Sequence, residues 1–180
     1  MYIKIRQEHP SDCKKIEDVI KMAFLNVEQS DKQEHFLVNK IRQSDAFISD
    51  LSLVAIDQET NEIVGHILLS KITIVASNLT VDSLALAPVA VAPEHHKKGV
   101  GSQLINAALK RAKELGFQSV IVLGHKDYYP KFGFKKASLW NIKAPFDVPD
   151  EVFMAIELTK DSLTNVQGTV NYSKAFMSES

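Results

Sequence analysis

The sequence predicts a mixed α/β sandwich, on three observations. Apolar residues at helical spacing follow a first strand, three strand-like segments crowd residues 51–91, and a long amphipathic helix leaves the last of them. The implied order is β-α-α-β-β-β-α-β-α-β, within a single domain at 180 residues.

The chain starts Met-Tyr-Ile-Lys-Ile-Arg-Gln-Glu, an apolar and charged alternation that suits a half-buried strand and not the apolar core of a signal peptide. From Cys13, the apolar positions Ile16, Val19, Ile20, Ala23, Phe24 and Val27 form a helical stripe, and Pro10-Ser11-Asp12 offers an N-cap before it. A second helix is expected over 32–43, with Phe36, Leu37 and Ile41 on adjoining turns. Strands are expected over 51–56, 63–75 and 84–91, and the turn-rich 57–62 makes the first two a hairpin. The third is apolar on both faces, as a covered central strand is. Pro88 must disturb its pairing, because proline has no N–H to donate. Beyond Pro93 a helix presents Leu104, Ala108, Ala112 and Leu115 to the core, and Gly116 ends it as a left-handed cap. Short strands over 120–123 and 152–158 complete the pattern, with the aromatic segment 128–134 between them.

Composition excludes several function classes. The balance of 21 Lys and Arg against 22 Asp and Glu argues against a broad phosphate-neutralising surface, so no nucleic-acid partner is expected. The longest nearly apolar run, 83–92, falls short of the roughly 20 residues a spanning helix needs, so no membrane partner is expected either. With Cys13 as the only cysteine, an intrachain disulfide is impossible, which suits the cytoplasm. His95, His96 and His125 have no spacing that closes a metal site, so no metal is expected.

One segment carries chemistry. His96-Lys97-Lys98-Gly99-Val100-Gly101 lies between a strand and a helix, where unpaired N–H groups and the helix dipole favour an anion. Glycines at 99 and 101 let the backbone approach a phosphate closely, while Lys97 and Lys98 screen its charge. A P-loop would need Gly-Lys-Ser/Thr, and a dinucleotide fold an acidic residue about 20 positions on; both are missing.

The stretch from Val89 to Ile105, with this loop at its centre, resembles the acetyl-CoA-binding motif of the GNAT superfamily of N-acetyltransferases, Gln/Arg-x-x-Gly-x-Gly/Ala, with His96 where Gln or Arg is usual. Tyr129-Pro130-Lys131-Phe132-Gly133-Phe134 resembles the same family's Tyr-x-Lys-x-Gly-Phe. Val64-Gly65-His66-Ile67, Leu86-Ala87-Pro88, Pro145-Phe146-Asp147-Val148-Pro149 and Gly168-Thr169-Val170-Asn171-Tyr172 are similar to its YhbS-like branch, so the resemblance spans nearly the whole chain.

That resemblance implies a mixed central sheet splayed at the cofactor site, with helices on both faces. It implies a core over 1–160 and a C-terminal extension, 161–180, packed on it. It makes acetyl-CoA the co-substrate. The pyrophosphate would rest on His96, Lys97, Lys98, Gly99, Val100, Gly101 and Ser102. The pantetheine arm would meet the main chain of Val89, Ala90 and Val91, and Phe132 would pack beside it. Tyr129 is the expected proton donor to the departing thiolate; ordinary values of about 10 for tyrosine and about 8.5 for a thiol make that step uphill by roughly 2 kcal/mol. Tyr128 is the less suited substitute.

No base is assigned. The strand before the loop has no carboxylate, and Asp82, Glu34 and His66 each read more readily as structural or solvated. The acceptor is expected to be an amine of a small molecule or peptide, with Trp140, Pro145 and Phe146 as an apolar wall or plain packing. A homodimer is allowed by the resemblance. Two other readings stay open: a protein that binds acyl-CoA without turnover, and a phosphate-binding domain for another nucleotide.

Overall fold

The computed structural model describes residues 2–28 and 30–176. The strands are β1 (Ile3–Gln7), β2 (Ser52–Asp57), β3 (Glu62–Val75), β4 (Thr80–Val91), β5 (Ser119–Leu123), β6 (Lys135–Lys136), β7 (Ile142–Lys143), β8 (Phe153–Glu157) and β9 (Gly168–Asn171). The helices are α1 (Cys13–Phe24), α2 (Glu34–Arg42) and α3 (Val100–Glu114). One mixed sheet runs β1-β2-β3-β4-β5-β8-β6, with β9 on β3 and β7 on β9. Among the described residues only the β4–β5 and β7–β9 pairs are parallel.

Strand alternation sorts the apolar side chains into two layers. Leu53, Ala55, Ile67 and Leu69 meet Leu104, Ala108 and Ala112 of α3. On the other face Val54, Ile56 and Leu68 meet Ile16 and Ile20 of α1 and Val38 and Ile41 of α2. The sheet therefore carries helices on both faces.

Several sequence expectations need correction. Val27 lies past the end of α1 and Leu115 past α3, and both are exposed because the helical stripes stop one turn earlier. Asp12 does not cap α1 with its side chain; its carboxylate accepts the His9 N–H at 2.6 Å and pairs with Arg6 at 2.7 Å, closing the short 3-10 turn Pro10–Asp12. No α-helix forms over 128–134, where Pro130 and the left-handed Gly133, at φ +106°, limit the segment to the 3-10 turn Tyr129–Phe132. Gly116 does cap α3, at φ +93°.

The splay has a measurable start. β4 and β5 pair only at Leu84 with Val120 and Ala85 with Ile121. Beyond them β4 runs through Pro88, and the β3–β4 register shifts between Ile67 and Leu69, opposite that proline. From Leu86 to Val91, then, β4 is bonded to β3 but has lost β5. At the chain's far end β9 pairs with β3 through Thr73–Val75, and residues 177–180 of the expected extension lie outside the described residues.

Candidate active site

The loop after β4 is built to present amides. Lys97, at φ +62°, and Gly99, at φ +81°, both take left-handed backbone, turning the chain sharply into α3 with Gly99 as N-cap. The Gln103 N–H donates to the Gly99 carbonyl at 3.1 Å, which leaves the Val100, Gly101 and Ser102 amides without intrahelical acceptors. These N–H groups and the helix dipole face a cleft of about 530 Å³. Its walls include Val89, Ala90, Val91, His96, Lys97, Gly99, Val100, Gly101 and Ser102, together with Ala23, Phe24, His95, Tyr128 and Lys131.

The freed edge of β4 meets the same cleft. The Ala92 N–H donates to the Val64 carbonyl at 2.8 Å, so Ala90 and Ala92 turn their backbone groups toward β3. Alternation then directs the N–H and C=O of Val89 and Val91 into the splay. His96 marks that direction: its Nε2 lies 2.9 Å from the Val91 carbonyl, with which only an Nε2–H can bond. The histidine that stands in for Gln or Arg therefore contacts the strand edge itself.

The aromatic segment is placed less simply. Tyr128 is half-buried and its ring lies under Lys131 Nζ, 4.1 Å from the ring centroid. Tyr129 is only 8 % exposed, packed against Gly124 and edge-on to Phe134 at 5.7 Å, behind Tyr128 rather than on the cleft wall. Phe132 stands edge-on to Tyr128 at 5.3 Å, and neither it nor the exposed Lys98 is on that wall. Burial, with a smaller contribution from Tyr128, pushes the Tyr129 hydroxyl up to about 12. Tyr128 and Lys131, within or beside the Tyr-x-Lys-x-Gly-Phe segment, are the residues of that segment that line the cleft.

None of the three carboxylate or histidine candidates for a base lies on this wall. Glu34 accepts a hydrogen bond from Ser30 at the start of α2, and Asp82 is exposed on β4. His66 is fully buried on the α1–α2 face, where desolvation lowers its pKa despite Glu8. Ser52 donates to Glu8, so its oxygen accepts from His66 Nε2–H at 2.9 Å. Arg42 closes this network on Glu8 at 2.8 Å. Burial alone would raise the Glu8 pKa, but bonds from His66, Arg42 and Ser52 outweigh it and hold the group at about 2. The network joins the residue after β1 to α2, β2 and β3 and reads as structural.

Among the described residues no group of three or more His, Cys, Asp or Glu is placed to hold a metal, and no helix is long and apolar enough to cross a membrane.

Residues 14–134 match the model of the acetyltransferase (GNAT) family. The chain belongs to this family. The reaction class that goes with it is acetyl transfer from acetyl-CoA. The chain is 33 % identical over 158 residues to an uncharacterised N-acetyltransferase, YjhQ, of Escherichia coli K12, covering 86 % of this chain and 83 % of that one. It is similar to the structure of E. coli YhbS, a GNAT family N-acetyltransferase in complex with CoA, with TM-score 0.86, 27 % identity and coverage of 97 % and 91 %. A Brucella melitensis GNAT acetyltransferase in complex with acetyl-CoA gives TM-score 0.79, 30 % identity and coverage of 98 % and 99 %.

Proposed function

We propose that the chain acetylates an amine by direct attack on acetyl-CoA held between β4 and the α3 N-terminus. The observation that carries this is the meeting of the α3 amides and the inward N–H groups of Val89 and Val91 on one cleft. Acetyl-CoA supplies an activated acyl group, and CoA leaves as the thiolate when the C–S bond breaks. The Val100, Gly101 and Ser102 amides and Lys97 would hold its pyrophosphate. Lys98, on the same turn, adds screening charge from the rim. The inward N–H groups of Val89 and Val91 would bond the pantetheine arm and the carbonyl oxygen as it gains charge. Phe132 supports Tyr128 beside the arm.

Tyr129 is our proposed source of the thiolate's proton, passed on through the hydroxyl of Tyr128, the one of the two tyrosines that lines the cleft. At about 12 the Tyr129 hydroxyl lies about 3.5 units above an ordinary thiol, roughly 5 kcal/mol uphill and more than the sequence alone suggested. That fits within the barrier of an ordinary enzyme, and a thiol in the same dry gap is raised as well, which narrows the difference. The proton returns to Tyr129 from the amine nitrogen once the N–C bond has formed and C–S has broken.

The whole chain is read as one domain, since β9 adds its edge to β3. The lone Cys13 supports a cytoplasmic setting, and sedimentation would measure the homodimer that the resemblance allows. The test is CoA release, followed with a thiol reagent across a panel of amines, comparing wild type with Tyr129→Phe. Turnover that collapses in the variant while acetyl-CoA still binds supports the assignment; turnover unchanged in the variant removes Tyr129 from it.

A further inference from the structure

A second cavity, of about 420 Å³, opens at the foot of the splay. Ala85 and Ile121, the last residues that pair β4 with β5, both line it. Leu37 of α2, Leu86 of β4, Phe146 and Tyr172 form much of the rest. The free edge of β4 from Leu86 to Val91 connects this cavity with the cleft at α3, five residues and at most about 17 Å away. An acyl carrier seated on the α3 amides and running along that edge ends here. We propose that the cavity is the acceptor site and that it selects an arylamine, a flat apolar ring bearing its amino group directly.

This deepens the acetyltransferase reading and rests on it. Two features choose the chemical class. The lining has no carboxylate, imidazole or ammonium; its polar side chains are the Asn171 amide and the Tyr172 hydroxyl. An alkylammonium entering it would lose hydration with no counter-charge, and an amine with lysine's pKa is uncharged in only about one molecule in 2,500 at pH 7. An arylamine delocalises its lone pair into the ring, is uncharged at neutral pH, and needs no base, which accords with a site whose wall supplies none. Shape gives the second feature. The Phe146 and Tyr172 rings are stacked, 13° apart in plane at 6.0 Å, and Phe176 meets Tyr172 at 5.1 Å, an aromatic wall that a flat ring extends.

The neighbouring groove does not offer an alternative cation site of one sign. It shares Asn171 and Tyr172 with the cavity, but sets Asp45 and Asp82 beside Lys71 and Lys174. Mixed charge there gives an entering ammonium little net field.

The experiment uses the purified full chain with acetyl-CoA, following CoA release with 4-methylaniline, phenethylamine, spermidine and a lysine peptide. At pH 7 kcat/KM for 4-methylaniline should exceed that for each alkylamine by about 100-fold, and should stay flat from about pH 6.5 to 8.5, where an alkylamine rate rises about tenfold per unit. Ligand-observed NMR with 4-methylaniline and no CoA present should detect binding that Phe146→Ala, an exposed position, weakens about tenfold, while calorimetry finds the acetyl-CoA Kd unchanged. Turnover confined to alkylamines or the peptide, or 4-methylaniline binding indifferent to Phe146→Ala, overturns the arylamine assignment and leaves acetyl transfer standing. Failure of acetyl-CoA itself to bind overturns both.

Discussion

The Tyr128 hydroxyl lies 3.0 Å from the point a Cβ would occupy on Gly101, with Val91 Cγ2 at 3.7 Å from the same point. Aromatic segment, α3 N-terminus and β4 edge thus converge on one small volume. Gly101→Ala should push the tyrosine into the cleft and weaken acetyl-CoA binding about tenfold, while the helix itself gains up to about 1 kcal/mol from alanine. Calorimetry and thermal melting would separate the two. Because the clash is with the hydroxyl, Tyr128→Phe in the same chain should restore most of the affinity, a coupling that a double-mutant cycle reads directly.

Tyr129→Phe should lower kcat by about 10²–10⁴ and leave the KM for acetyl-CoA within about twofold, since the ring's packing on Gly124 and Phe134 is kept. Steady-state kinetics at saturating acceptor measures this. An equal fall in kcat and rise in KM would mean the hydroxyl serves binding.

Alkaline stability follows from the same residue. The folded-state pKa of about 12 lies above the unfolded value near 10, so the folded chain holds the proton more tightly. The contribution is fully present below pH 10 and is lost as pH rises toward 12, at most about 2.7 kcal/mol. Urea unfolding at pH 9 and 11.5 should show wild type losing more stability than Tyr129→Phe.

Glu8 behaves in the opposite sense. Its folded pKa of about 2 lies below the ordinary 4.5, so its stabilisation is present above pH 4.5 and lost as pH falls toward 2, about 3 kcal/mol in all. His66, depressed by burial, adds loss in the same direction below its ordinary 6.5. Glu8→Gln should be about 3 kcal/mol less stable at pH 7, because Arg42 is left with its charge buried. The variant should also show a flatter acid profile in chemical denaturation.

Gly168→Ala tests how the C-terminal strand is held. A Cβ at this position meets the Val75 carbonyl oxygen and, at 3.1 Å, the Ala76 nitrogen, both backbone atoms with no freedom to yield. We expect a loss of about 1–3 kcal/mol and a raised acceptor KM, since Tyr172 follows β9 directly, with the acetyl-CoA Kd unchanged.

Much of this architecture was legible from periodicity. The Ile16–Phe24 stripe, the doubly apolar β4 and the Gly116 cap each follow from a local pattern, and Pro88 marked the disturbed pairing opposite Ile67 and Leu69. β6 and β7, two residues each, carry no period to read, and β9 is defined by its partner on β3 rather than by its own sequence. In the site, Gly99 and Gly101 announced the anion-binding turn. Which of two adjacent tyrosines faces the cleft was not legible, because the answer depends on the 3-10 turn that Pro130 and Gly133 impose. Nor could the sequence reveal that His96 bonds the Val91 carbonyl, a contact between residues on either side of a turn.

Amide NMR of the 15N-labelled chain titrated with acetyl-CoA shows whether the co-substrate lies across the freed β4 edge and the α3 N-terminus. The largest shift changes should fall on the amides of Val89, Val91, Gly99, Val100, Gly101 and Ser102. Saturable binding that leaves those six amides unmoved and shifts others instead would contradict that placement.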